Sequence, residues 1–108
     1  MRRGEIWTVA GGVYASKPRP ALIVQDDVFD LTESVTVVPL TATLADAPLL
    51  RLRVSAGGLA GLAQGSDLMI DKVTTVRRSN VQVRVGRLSS RQMVEVERLL
   101  LTFLGMAG

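Results

Sequence analysis

The chain has no cysteine and no histidine. Without cysteine there is no disulfide framework, no thiol nucleophile and no thiolate metal site. Without histidine there is no Ser-His-Asp triad, no histidine-pair nuclease and no zinc-hydrolase centre. Any chemistry near neutral pH therefore runs without the usual proton shuttle. The carboxylates form no tight cluster in the sequence either, so neither a metal requirement nor a cofactor is expected. Aromatic residues make up 4% of the chain, too few for the aromatic-lined grooves that capture peptides. No uninterrupted apolar run approaches the ~20 residues of a membrane helix. The first residues, Met1-Arg2-Arg3-Gly4-Glu5-Ile6-Trp7, lead into no apolar segment with a small-residue cleavage site, so a cytoplasmic protein without membrane association is expected.

What is present points to one globular domain over residues 1–108. Hydrophobic residues are 47% and charged residues 21%, an ordinary balance for a folded chain. At 108 residues it can bury one real core without a disulfide or metal staple. The net charge of +3 leans mildly toward a polyanionic partner. The charges are also segregated. Asp26 to Asp46 holds five acids and no basic residue, whereas Lys72 to Arg91 holds six basic residues and no acid. The ordinary reading is a solvated basic face. The sharper one is a phosphate-binding surface.

Most of the chain reads as strands. Glu5 to Val9 alternates with period two. Ala21 to Val24 is a short apolar run suited to burial on both faces, and Val35 to Leu40 is rich in β-branched residues. Leu50-Arg51-Leu52-Arg53-Val54 alternates and puts both arginines on one face. Asp67 to Val76 and Val81 to Leu88 complete about six strands, as in a small antiparallel barrel or sandwich. Ser55 to Ser66, with four glycines, lacks the phosphate-loop pattern and reads as a flexible, turn-rich connection. One helix closes the chain. Ser89 and Gln92 have capping-box spacing, Met93, Val96, Leu100, Phe103 and Leu104 form an apolar stripe, and Gly105 is a natural stop. Leu99 and Leu101 lie off that stripe and suit either a wider buried face or a second subunit.

Two segments carry chemistry together. In Lys17-Pro18-Arg19-Pro20-Ala21-Leu22-Ile23-Val24-Gln25, an arginine stands between two prolines that fix φ. An isolated arginine there would ordinarily pair with a nearby acid. In Val37-Val38-Pro39-Leu40-Thr41, a threonine is exposed where a strand ends, where it could equally satisfy a turn.

With Arg3-Gly4-Glu5-Ile6-Trp7 before these segments, the order of motifs resembles the MazF/PemK (Kid) toxins of bacterial toxin–antitoxin systems. Gly61-Leu62 with Ser66, then Asp71-Lys72-Val73-Thr74-Thr75-Val76 and Val85-Gly86-Arg87-Leu88-Ser89, extend the likeness over nearly the whole chain. The resemblance implies a mainly β fold, an SH3-like antiparallel β-barrel with a C-terminal α-helix. It further implies a homodimer, sequence-specific and metal-independent cleavage of single-stranded RNA, and a cognate antitoxin with a disordered acidic tail. Arg19 and Thr41 match the family's catalytic arginine and threonine, and Ser66, Asp71 and Lys72 fall near its RNA groove. Lys17, Arg77 and Arg84 are added as RNA-binding candidates from the basic stretches. The long loop before Arg19 matches the mobile loop that gates the family's RNA site. From Ala10 to Ser16 it carries neither the histidine nor the acid that some members use there.

The chemistry fits. RNA brings its own nucleophile, the 2′-hydroxyl, so the protein must supply in-line geometry and stabilise charge building on the phosphate. A guanidinium is planar, always charged and matched to phosphate oxygens. The rival class on the same architecture is a CcdB-like toxin that binds DNA gyrase and cleaves no RNA. The pairing of Arg19 with Thr41 favours the nuclease.

Overall fold

Period-two alternation becomes seven strands in the computed structural model, which describes residues 1–11 and 17–106. They are β1 (Glu5–Val9), β2 (Arg19–Ile23), β3 (Ser34–Thr41), β4 (Arg51–Val54), β5 (Ser66–Met69), β6 (Thr74–Arg77) and β7 (Val81–Arg87), followed by helix α1 (Ser90–Phe103). Their order is β4-β5-β3-β2-β1-β7, with β6 also on β3, and every pairing is antiparallel. This is the mainly β, SH3-like barrel with a C-terminal helix that the motifs imply. The longest strand, β3, organises it. One edge takes β2 at residues 37–39, while the other takes β6 at its start and β5 at its end.

The segment from Asp67 to Val76 is not one strand. A 3-10 turn at Ile70–Lys72 divides it, closed by the Val73 N–H donating to the Ile70 carbonyl at 3.2 Å. The division follows from β3 offering one edge to both pieces. The chain leaves β3 at Leu68, opposite Leu40, and rejoins it at Thr74, opposite Val37. Buried Ile70 anchors the crossing in the core.

Alternation gives the sheet two apolar faces. Ile6, Leu22, Val38, Leu40, Leu68 and Ile70 pack beneath Met93 and Val96 of α1. On the opposite face, Ala21, Ile23, Val35 and Val37 pack with Trp7, Val9, Val76 and Val81. At roughly 1.5–3 kcal/mol for each fully buried large apolar side chain, these clusters are the main force holding the strands together.

The glycine-rich stretch from Ser55 to Ser66 is a folded turn rather than a loose connection. Gly57 donates to the Leu62 carbonyl and Gly61 to the Gly57 carbonyl, and Ala60 and Leu62 enter the core. The Arg87 N–H then donates to the Leu59 carbonyl at 2.9 Å, so the turn covers the end of β7. Two glycines permit this close approach. A Cβ on Gly86 would meet the Ala60 carbonyl, and one on Gly61 the Val85 carbonyl.

Helix α1 begins as its sequence dictates. The Ser89 hydroxyl accepts the Gln92 N–H at 3.1 Å and the Gln92 side chain accepts the Ser89 N–H at 2.8 Å. It ends in a Schellman turn, with Gly105 at φ +72° and the Met106 N–H on the Leu101 carbonyl. Its buried face is narrower at the C-terminal end than the stripe predicts. Leu99 joins Leu100 against the core, whereas Phe103 and Leu104 stay exposed. The core ends beneath the fourth turn, so the last apolar residues find nothing to pack on.

Candidate active site

The ladder between β2 and β3 runs from Ile23↔Val37 to Ala21↔Pro39 and stops. Neither Pro20 nor Pro39 has an N–H to carry it further. Continuing the same register by two residues sets Arg19 opposite Thr41, on the face shared by Ala21 and Pro39. Past the end of the ladder lies a cleft of about 240 Å³, lined by Arg19, Leu40, Thr41, Met69 and Lys72. Three segments far apart in sequence thus deliver an arginine, a threonine and a lysine to one concavity. A larger depression of about 500 Å³ lies between the N-terminus and α1. Arg2, Arg3 and Arg87 line it together with Glu5 and Glu97, and it holds neither Arg19 nor Thr41.

Each of the three side chains has its position from local structure. Arg19 opens β2, bonded to β1 opposite Val9, and is exposed. The Thr41 hydroxyl accepts the Thr43 N–H at 3.1 Å, the turn bond foreseen as its ordinary role. That bond uses a lone pair and leaves the hydroxyl proton for another acceptor. Lys72 closes the Ile70–Lys72 turn and is exposed. Two cations and a hydroxyl donor around a small cleft suit an anion with several oxygens, such as a phosphodiester.

The remaining candidates are placed differently. Asp71 is exposed beside Lys72 in the same turn, and Lys17 is exposed two residues before Arg19. Ser66 is buried, its hydroxyl donating to the Gln64 carbonyl at 3.0 Å, so it offers nothing at the surface. Arg77 sits opposite Ser34, at the far end of β3 from Thr41 and about 23 Å away along the strand. Because β6 runs antiparallel to β3 from Val37 onward, it carries Arg77 out of the cleft. Arg84 lies across β1, where its guanidinium donates to Glu5 at 2.8 Å. The gating loop expected before Arg19 falls largely on residues 12–16, outside the described residues. Among the described residues no group of three or more acids is placed to hold a metal ion.

Sequence reasoning missed Asp67. This carboxylate is 1% exposed and sits on β5 between Thr41 of β3 and Arg53 of β4. It accepts Arg53 Nε at 2.6 Å, the Ala45 N–H at 2.9 Å and Arg51 Nη1 at 3.5 Å. The Arg53 hydrogen bond, helped by Ala45 and Arg51, holds its carboxyl below the usual aspartate range in spite of burial. The available signal was the pair of arginines on one face of β4, which calls for an acid on the neighbouring strand. Glu5 is a second tuned carboxyl. Burial pushes it up, but bonds from the Arg2 N–H, Trp7 and Arg84 outweigh that and hold it low.

Residues 2–104 match the family model described as PemK-like, MazF-like toxin of type II toxin-antitoxin system. The chain belongs to the PemK/MazF toxin family. It is 59% identical over its full length to a protein of Mycolicibacterium smegmatis named probable endoribonuclease MazF, which it also covers fully. In fold it is similar to the Mycobacterium tuberculosis toxin MazF-mt6, with TM-score 0.82 and 23% identity over 96% of this chain and 99% of that one. A second solved structure, a mycobacterial endoribonuclease in complex with its cognate antitoxin, has TM-score 0.80 and 23% identity over 100% and 98% of the two chains. At this identity the structural likenesses establish the barrel of a PemK/MazF toxin rather than any residue's role.

Proposed function

We propose that this PemK/MazF toxin is a metal-independent, sequence-specific endoribonuclease acting on single-stranded RNA in the cytoplasm. The observation that carries the reading is the register that brings Arg19 and Thr41 to one cleft with Lys72 beside them. The scissile phosphate occupies that cleft. Arg19 neutralises charge developing on its non-bridging oxygens, and Thr41 donates to an oxygen or orients the 2′-hydroxyl that attacks in line. Lys72 adds a second cation, with exposed Asp71 next to it in sequence and exposed Lys17 two residues before Arg19. Attack by the 2′-hydroxyl leaves a 2′,3′-cyclic phosphate and a 5′-hydroxyl.

The 59% identity to a named endoribonuclease supports the activity, and nothing found supports the gyrase-binding alternative. An antitoxin with a disordered acidic tail is the fitting inhibitor, since it offers charge complementarity to a basic groove and can wrap it while folding. A homodimer is the fitting assembly. Leu101, Phe103, Leu104 and Met106 are exposed at the end of α1, and isologous pairing is the commonest way to cover such a surface.

Incubation of the purified protein with mixed-sequence RNA in EDTA, followed by mapping of the ends, tests the activity. Cyclic-phosphate ends at a short recurring motif are expected. Dependence on magnesium, or cleavage of all-deoxy substrates, would overturn the mechanism. Sedimentation at micromolar concentration should give about twice the chain mass. RNA binding should weaken steeply with salt, because phosphate contacts release counterions.

A further inference from the structure

We propose that Asp67 and Arg51 are positioning residues that fix the Thr41 hydroxyl for RNA cleavage, an inference that rests on the nuclease reading above. The structure supplies a continuous chain of contacts. Asp67 lies directly opposite Thr41 in the β3–β5 ladder. Its Oδ2 accepts the Ala45 N–H at 2.9 Å and Arg51 Nη1 at 3.5 Å. The same Arg51 nitrogen donates to the Thr43 carbonyl at 3.2 Å, and the Thr43 N–H donates to Thr41 Oγ1 at 3.1 Å. Thr43 is therefore held on both sides, by Thr41 through its N–H and by Arg51 through its carbonyl.

The Thr41 hydroxyl can donate in one set direction only if its rotamer is fixed. The Thr43 N–H fixes it, and it can do so only while the chain from Thr41 to Ala45 keeps its path. That path is set from beneath by a buried carboxylate. Arg53 Nε, 2.6 Å from Oδ1, occupies the other oxygen and supplies the counter-charge that lets Asp67 stay ionised inside the fold. Asp67 does not itself line the cleft and acts through Arg51 and Ala45.

Asn at position 67 keeps the shape but offers one acceptor oxygen where the carboxylate offers two. Asp67→Asn should therefore slacken the path of the chain without emptying the site. Arg51→Met removes the bond to Thr43 and retains the apolar stem. The test is a double-mutant cycle against Thr41→Val on an RNA containing the mapped cleavage motif, with enzyme in excess so that slow rates are read to completion. Asp67→Asn and Arg51→Met should each lower the rate at saturating RNA about 10- to 100-fold, with KM changed less than about threefold. In the Thr41→Val background the same changes should cost less than about twofold, because the group they position is gone. Arg51→Lys, which keeps a donor, should recover most of the rate.

Equal factors in the two backgrounds, or a loss confined to KM, would overturn the proposal. If Asp67→Asn fails to fold, as melting curves would show, the cycle with Arg51→Met decides alone. Its side chain is 21% exposed and its removal leaves the Arg53–Asp67 pair in place. A folded wild-type protein that cleaves no RNA would instead remove the nuclease reading itself, and the positioning role with it.

Discussion

Arg19 sits where two prolines stiffen the backbone and the β2–β3 ladder has ended, so its guanidinium is carried on a rigid strand start rather than a free loop. Arg19→Ala should abolish RNA cleavage with the fold intact, since that side chain is exposed and lines the cleft. Loss of one such donor elsewhere costs about 2.7–4 kcal/mol of transition-state stabilisation. A folded Arg19→Ala protein that cuts RNA at near wild-type rate would refute this. For Thr41 the hydroxyl itself is the feature that matters. Thr41→Val should be slow and Thr41→Ser partly active, and equal rates from the two would reduce Thr41 to a turn residue. Flanking prolines and a strand end mark both positions locally in the sequence, while their proposed roles came from the resemblance to the family. Asp67 was not marked in this way. Its partners Arg51 and Arg53 were visible as a pair, but Asp46, Asp67 and Asp71 all lie within reach in sequence. Only the register Arg53↔Asp67↔Thr41 selects among them.

Elements read well wherever local physics decides them. The strand over Glu5–Val9 and the start of α1 at a Ser89–Gln92 capping box follow from alternation and from cap chemistry alone. Ser89→Ala should accordingly lower stability by about 1 kcal/mol, the usual value of an N-cap side chain. Chemical denaturation measures it, and an unchanged midpoint would mean that the helix start is held by packing alone. Elements read poorly where a distant partner decides. The break at Ile70–Lys72 depends on β3 serving two strands from one edge, which no window around residue 70 reveals. The C-terminal end of α1 shows the same limit. Leu99 and Phe103 are both apolar at helical spacing, and only the extent of the sheet beneath them settles that Leu99 is covered and Phe103 is not.

At the scale of the whole molecule, two tuned carboxyls make stability depend on acid. Asp67 and Glu5 are both held below their ordinary values in the folded state. Each therefore contributes stability that is full above its unfolded value, about 3.9 for Asp and 4.3 for Glu, and is lost as pH falls through the folded value. Melts from neutral pH downward should show a wild-type protein that weakens below roughly pH 4. Asp67→Asn should start less stable at neutral pH, and its deficit should shrink as acid removes the same charge from the wild type. A deficit that stays constant down to pH 2 would show that Asp67 contributes by shape rather than by charge.

The register Glu5↔Arg87 joins the first strand of the chain to the last. β1 lies between β2 and β7, so one side of it stays open until residues near the end of the chain exist. A contact this distant in sequence forms late and slowly. For a chain made from its N-terminus onward, β1 cannot gain its second neighbour until synthesis has passed β7. The proposed nuclease thus acquires its working shape only after its message has been read through β7. Nascent chains stalled before Val81 should carry no nuclease activity, however many of them a cell accumulates.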